Sequence, residues 1–178
     1  AMITAAAKSC CDTLRNVTDG ELTVTFLLEE LNKTIYEAAN RRFVMTFFAT
    51  IIDPRTRTIT YSNAGHNFPL LFRAHAREED HAIIPLVTRG NRLGDVMDSR
   101  FVEKTIAYGP EDILVWYTDG LTEGMGHDGR PFGERRLRRT VAALKEAEAD
   151  VILDKLIADA KTVNESEFLV LPGVGTFG

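Results

Sequence analysis

The chain has 178 residues, 44% hydrophobic and 26% charged, which are the proportions of a globular protein rather than of a disordered or membrane chain. This length predicts a single domain with a sizeable core. The net charge of −5 argues against a general nucleic-acid-binding surface, because phosphate-backbone binding needs an excess of Lys and Arg.

Membrane insertion and disulfide bonding are also not expected. The longest nearly apolar run, residues 43–52, is far shorter than the ~20 residues that span a bilayer, and no basic-then-apolar leader opens the sequence. The only cysteines, Cys10 and Cys11, are adjacent, and adjacent cysteines rarely form a disulfide of acceptable geometry. We therefore expect reduced thiols, a cytoplasmic location and no membrane segment in this stretch.

The first two predicted elements are helices. Residues 1–14 are rich in small side chains, which allow a helix to pack closely against a sheet or another helix. From Thr23 onward, apolar side chains recur with a period of 3.6 residues, as on one buried helical face. These positions are Val24, Leu27, Leu28, Leu31, Ile35 and Ala38.

The pattern then changes to β-branched and aromatic residues, which favour strands. Residues 44–52 and 58–62 are predicted to form a hairpin around the turn at residues 53–57. Further predicted strands are residues 68–73, a weak strand within 74–98, residues 101–107 and residues 113–117.

Two more amphipathic helices and a last strand are predicted in the final third of the chain. One helix is marked by Leu137, Val141 and Leu144, and the next by Ile152, Leu156 and Ala160, with Asp150 as its N-cap. Residues 168–171 are predicted as the closing strand. This order of elements predicts an α+β layered fold, in which antiparallel sheets are covered by helix pairs.

The stretch ILVWYTDGLTE, residues 113–123, combines a buried strand with two carboxylates. Asp119 and Gly120 have two interpretations. They are either an ordinary turn that closes the strand, or the strand holds the Asp119 carboxylate where it binds a metal ion. Oxygen ligands at such a place, with Glu123 just beyond, suit Mg²⁺ or Mn²⁺.

His66 lies in the stretch SNAGHN, whose residues Asn63 and Gly65 are typical of a local turn. The other histidines lack metal-ligand spacing and are predicted to lie on the surface: His75, His81 and His127. A basic cluster is predicted on the solvated face of a helix, with an acidic or phosphorylated partner as the alternative: Arg135, Arg136, Arg138 and Arg139. No phosphate loop or Gly-x-Ser-x-Gly motif occurs.

Three blocks taken together resemble the SpoIIE-like branch of the PPM-type metal-dependent Ser/Thr protein phosphatases. That family has Asn-Ala-Gly-His-(Asn or a small residue)-x-Pro, then a strand ending in Thr-Asp-Gly-(Val or Leu)-Thr-Glu, then Phe-Gly-x-x-Arg-Leu opening a helix. All three occur here in order, at residues 63–69, 117–123 and 132–137. The resemblance implies a sandwich of two antiparallel sheets flanked by helices, with two Mn²⁺ or Mg²⁺ ions at one edge.

The resemblance also assigns roles to residues. Asp119 is the expected catalytic carboxylate, Asp119 and Gly120 are the expected metal-site residues, and Asn63, His66 and Asn67 are the expected substrate-binding residues. The implied activity is removal of phosphate from phosphoserine or phosphothreonine on a signalling partner, such as an anti-sigma-factor antagonist. The alternative is a pseudophosphatase that regulates a partner protein by binding it. A homodimer through the first helices is a further expectation.

Two departures from the family pattern accompany the resemblance. The Gly-Asp-(Val)-(Ser/Thr)-Gly-His-Gly segment that precedes the small-residue helix in the family is absent, and residues 164–167 replace an Asp-Asp pair before the last strand. Either the chain has diverged at these positions, or residues 1–178 are one phosphatase domain without its N-terminal strands and first metal-ligand motif, and we expect the second. By itself this chain is expected to bind metal weakly or not at all.

Overall fold

The computed structural model describes residues 2–18, 21–39, 42–76, 82–125, 130–144, 147–160 and 173–176. The chain divides into two compact units. The first unit comprises Ala1–His66 and Val87–Ala107, and the second comprises Asn67–Leu86 and Tyr108–Gly178.

The helices and strands follow the predicted blocks, with one short unpredicted helix in addition, at Asp119–Glu123. The helices are α1 (Met2–Val17), α2 (Val24–Ala38), α3 (Asp119–Glu123), α4 (Gly133–Ala143) and α5 (Ala149–Ala160). The strands are β1 (Phe47–Asp53), β2 (Thr58–Ala64), β3 (Leu70–Phe72), β4 (Ile83–Pro85), β5 (Lys104–Ala107), β6 (Ile113–Trp116) and β7 (Gly173–Thr176). Within these described residues, none of the helices is both long enough and apolar enough to cross a membrane.

In the first unit, β1, β2 and β5 form an antiparallel sheet, and α2 packs on β1 and β2 with α1 against it. The Thr23 side chain caps α2 by accepting a hydrogen bond from the Phe26 backbone N–H at 3.1 Å, which satisfies a donor that the first helical turn leaves without a partner. Leu28, Leu31 and Ile35 are fully buried on one face of the helix. The predicted helix is confirmed, and so is most of its buried face, but Ala38, which is predicted on that face, is exposed.

In the second unit, the sheet order is β4-β3-β6-β7, again antiparallel. Its apolar residues pack with α4 and α5 into a core that includes Phe72, Val115, Leu137, Val141 and Ile152. The α+β class with two antiparallel sheets and helices is confirmed. That residues 1–178 form one domain stays a prediction.

The pairing of β3 with β6 joins strands that are distant in the sequence. Leu70 pairs with Val115 and Phe72 with Ile113. Because the strands run antiparallel, the residues just before β3 and those just after β6 come to the same end of the pair. This register determines what surrounds Asp119.

Asp112 fixes the opposite end of β6, where its side chain is buried and accepts three hydrogen bonds. The donors are Arg73 Nη1 at 2.8 Å, the Ala74 backbone N–H at 3.0 Å and the Gly109 backbone N–H at 2.8 Å. The carboxylate thus joins the end of β3 to the turn that leads into β6. A buried carboxylate with three donors is stabilising only while all of them are present.

Two predictions for the last third of the chain are not confirmed: one is wrong, and the other lies outside the described residues. The expectation that Asp150 is the N-cap of α5 is wrong, because the helix begins at Ala149 and Asp150 lies within its first turn. The Glu148 carbonyl already accepts hydrogen bonds from the backbone N–H groups of Val151 and Ile152, which starts the helix earlier. The predicted strand at residues 168–171 lies outside the described residues, and the strand seen nearby is β7.

We expect Asp112→Ala to lower the free energy of unfolding of the full-length protein by about 2–4 kcal/mol, somewhat less than for a wholly buried ion pair because Arg73 is partly exposed. Denaturant unfolding followed by circular dichroism measures this change. Asp98→Ala, at an exposed position, is the matched control and is expected to change the free energy by less than about 0.5 kcal/mol. Equal effects of the two substitutions would show that the Asp112 hydrogen bonds do not stabilise the fold.

Candidate functional site

Asp119 lies where β6 gives way to the short helix α3. Thr118 has an extended backbone, with φ −110° and ψ 168°, and its carbonyl accepts a hydrogen bond from the Leu121 N–H at 3.0 Å. Asp119 is therefore the first residue of a helical turn rather than part of an open loop. Its side chain is exposed.

The Asp119 carboxylate is held by Asn67. The Asn67 Nδ2 donates a hydrogen bond to Asp119 Oδ1 at 2.7 Å, across 52 residues of sequence. The register of β3 with β6 accounts for this contact, because Asn67 lies three residues before Leu70 and Asp119 four residues after its partner Val115. Both residues belong to the second unit.

Asn63 and His66 form a tight turn within the first unit. The buried Asn63 side chain donates to the His66 carbonyl at 2.8 Å and accepts from the His66 backbone N–H at 2.7 Å. Gly65, between them, has φ +73°, and a Cβ there would lie 2.6 Å from Arg92 Cγ. The predicted local hydrogen bond and the need for glycine are both present. That Asn63, His66 and Asn67 bind substrate stays a prediction.

Gly120 occupies the second position of α3. Its carbonyl oxygen lies close to Gly124, such that a Cβ built on Gly124 would come within 3.1 Å of it. The Gly120 oxygen therefore faces the end of its own helix. The prediction that Gly120 contributes to a metal site remains a prediction.

A second group of polar residues connects the end of β6 to α4. The Tyr117 side chain lies near the Glu134 carboxylate, which accepts a hydrogen bond from Arg138 Nε at 2.8 Å. Tyr117 itself is buried in the core of this unit. Burial, and then the charge of Glu134, raise the pKa of Tyr117 to about 12. Sequence reasoning missed this network, although the one-turn spacing of Glu134 and Arg138 is a signal for an ion pair.

The donor chemistry of Asp119 fits a hard divalent cation, because a carboxylate oxygen on an exposed, fixed side chain is the kind of ligand that Mg²⁺ and Mn²⁺ prefer. A complete centre needs more ligands. Among the residues that the structure describes, no group of three or more His, Cys, Asp or Glu side chains is close enough to hold a metal ion. Residues 164–167, where the family pattern has acidic residues, lie outside the described residues.

The remaining candidates have simpler surroundings. His75 is exposed, as predicted, and its Nε2 lies 3.0 Å from Glu111 Oε2, whereas His81 and His127 lie outside the described residues. In the basic cluster on α4, Arg135 and Arg139 are exposed. The prediction of a solvated helix face is thus met at these two positions.

Comparison with known proteins gives a consistent family. The profile of the family described as Stage II sporulation protein E (SpoIIE) matches residues 3–168. Protein IcfG of Synechocystis sp. (strain ATCC 27184 / PCC 6803 / Kazusa) is 26% identical over 107 residues, which cover 60% of this chain and 16% of that protein.

Solved structures share the fold. The SiaA-PP2C domain of Pseudomonas aeruginosa has a TM-score of 0.70 and 16% identity, covering 90% of this chain and 63% of that one. The phosphatase domain of SpoIIE from Bacillus subtilis, presoaked with Mn, has a TM-score of 0.55 and 14% identity, covering 94% of this chain and 71% of that one. The chain therefore spans a small part of the curated relative and under two thirds of the SiaA chain.

The raised pKa of Tyr117 predicts a loss of stability in alkali. A folded-state pKa of about 12 lies above the ordinary value near 10, so the unfolded chain releases the phenolic proton first. The contribution is complete below pH 10 and is lost as the pH rises from about 10 to 12. We expect the free energy of unfolding of metal-free full-length protein to fall less steeply over this range in Tyr117→Phe than in the wild type.

Denaturant unfolding at several pH values measures this difference, and absorbance of tyrosinate follows the ionisation directly. Glu134→Gln is the informative companion variant. Removing the carboxylate charge is expected to lower the pKa of Tyr117, and so to narrow the pH range over which Tyr117 destabilises the fold. If the free energy of unfolding had the same pH dependence in wild type and Tyr117→Phe, the raised pKa of Tyr117 would be contradicted.

Proposed function

The chain belongs to the SpoIIE family, whose profile matches residues 3–168, and from this premise we propose that the full-length protein is a metal-dependent phosphoprotein phosphatase. Its proposed substrate is phosphoserine or phosphothreonine on a protein partner in a signalling pathway, with an anti-sigma-factor antagonist as the leading candidate. The proposed setting is the cytoplasm. Helix α1 and helix α2 are the proposed surface for a homodimer.

The observation that supports this proposal is the placement of Asp119. Its carboxylate is exposed at the end of a buried strand and held by Asn67 at 2.7 Å. The family pattern has its metal-ligating aspartate at this position of the Thr-Asp-Gly block, and the related SpoIIE phosphatase structure was obtained after a Mn soak. We therefore assign Asp119 as a metal ligand, with Mn²⁺ or Mg²⁺ as the cation and Gly120 as its neighbour at the site.

In this proposal the protein's residues do three things. Strand β6 keeps Asp119 at a fixed place, because its residues Leu114 and Val115 are buried on opposite faces of the sheet. The Asn67 amide restrains the carboxylate, and Asn63 and His66 are proposed to contact the substrate. Bound divalent cations would supply the acidity that makes water a nucleophile at neutral pH and the charge that neutralises the phosphoryl oxygens.

A regulatory binding module without catalysis is the second candidate. It is favoured by one finding, that the described residues contain no group of three or more metal-ligating side chains. In that case the full-length protein would bind its phosphorylated partner but release no phosphate from it. An assay of turnover with the full-length protein separates the two candidates.

We expect full-length protein to release phosphate from a generic aryl phosphate only when Mn²⁺ or Mg²⁺ is present, and Asp119→Asn to lower the rate with Mn²⁺ by about a hundredfold or more, since it removes a charged ligand. Asp154→Asn is the matched control, because it makes the same change at an exposed position on α5 in the same unit, and it should leave the rate unchanged. Undiminished activity of Asp119→Asn would remove Asp119 from the mechanism. No turnover by the wild type with Mn²⁺ would favour the binding module.

A further inference from the structure

The contact between Asn67 and Asp119 leads to an inference about how the carboxylate is kept ready for a cation. We propose that Asn67 is a positioning residue, whose amide holds one oxygen of Asp119 and so leaves the other oxygen to ligate a divalent cation. This inference rests on the proposed function and goes beyond it, because the family resemblance suggested only a substrate-binding role for Asn67.

The chemistry of the two groups fixes the direction of the hydrogen bond. An ionised carboxylate has no proton to donate, so the Asn67 amide must present its nitrogen rather than its oxygen. The separation of 2.7 Å between Nδ2 and Oδ1 is that of a short, charge-assisted hydrogen bond. One of the two carboxylate oxygens is thereby engaged.

The backbone of Asp119 is restrained independently of its side chain. The Thr122 hydroxyl donates to the Asp119 carbonyl at 3.3 Å, and the Leu121 N–H donates to the Thr118 carbonyl at 3.0 Å. Without the amide, the carboxylate of an exposed aspartate would still rotate about its side-chain bonds. Asn67 thus restricts the freedom that the helical turn leaves.

The position of Asn67 is itself determined by the sheet. It lies three residues before β3, whose pairing with β6 brings it beside Asp119. The Pro69 carbonyl accepts a hydrogen bond from the Leu86 N–H at 2.9 Å, which continues the β3–β4 ladder toward Asn67. The donor therefore lies just before the strand that pairs with β6.

A restrained ligand binds a cation more tightly, because less conformational freedom is lost on binding. Loss of a side chain that orients a metal ligand typically lowers metal affinity by about ten- to a hundredfold. A side chain that contacts only the substrate would instead lower turnover at every metal concentration. These two patterns can be told apart.

The test uses the full-length protein and Mn²⁺ alone as the ligand. Electron paramagnetic resonance of free Mn²⁺ gives the apparent Kd, and aryl phosphate hydrolysis is followed over the same Mn²⁺ range. We expect Asn67→Ala and the volume-matched Asn67→Leu to raise the apparent Kd about tenfold or more, and to recover most of the wild-type rate at saturating Mn²⁺. Asn91→Ala, which removes a different amide hydrogen bond, to Ser99, is the control and should keep the wild-type Kd.

A second readout needs neither metal nor activity. In metal-free protein, the Asn67 side-chain amide protons should exchange slowly with solvent, and Asp119→Ala should make them exchange faster, as nuclear magnetic resonance can measure. Exchange that is the same in both proteins would show that the hydrogen bond is absent in solution and would overturn the proposal.

The remaining outcomes separate this inference from the function on which it rests. An unchanged Kd in both Asn67 variants, with Mn²⁺ binding lost in Asp119→Asn, would overturn the positioning role and leave the phosphatase proposal standing. A rate loss that persists at saturating Mn²⁺ with an unchanged Kd would assign Asn67 to the substrate instead. Unaltered Mn²⁺ binding in Asp119→Asn would refute both proposals.

Discussion

The antiparallel pairing of β3 with β6 is the constraint on which the proposed site depends. Leu70 pairs with Val115, and from that register Asn67 and Asp119 meet beyond the ends of their strands. A shift of one residue would move every side chain of β6 to the other face of the sheet. It would therefore remove the Asn67 contact and exchange the faces on which Leu114 and Val115 pack. Packing in the core thus determines the geometry at the surface.

The two ends of β6 are stabilised in different ways that suit different roles. At its start, Asp112 is buried and accepts hydrogen bonds from three donors, including Arg73, so this carboxylate stabilises the fold. At its end, Asp119 is exposed and accepts one hydrogen bond from Asn67. A carboxylate that keeps acceptor capacity near solvent is suited to binding a cation. The contrast supports a functional interpretation of Asp119 and a structural one of Asp112.

The local features of the chain could be predicted from the sequence because they depend on nearby residues. The apolar period and the Thr23 cap define α2, and the β-branched and aromatic residues on either side of the turn at residues 53–57 define the hairpin. The contact of Asn67 with Asp119 could not be predicted, since it spans 52 residues and depends on the register of a non-local strand pair. The effect of Glu134 on the pKa of Tyr117 likewise depends on how α4 packs on β6. The family blocks named the individual residues without showing which of them meet.

The most direct test of this account is a structure of the full-length protein determined with Mn²⁺. We expect an Asp119 carboxylate oxygen to lie at ligand distance, roughly 2–2.3 Å, from a bound ion, while the Asn67 amide remains on the other oxygen. Further acidic oxygens from the rest of the protein would complete the coordination. An ion bound elsewhere, with the Asp119 carboxylate directed into solvent, would contradict the account.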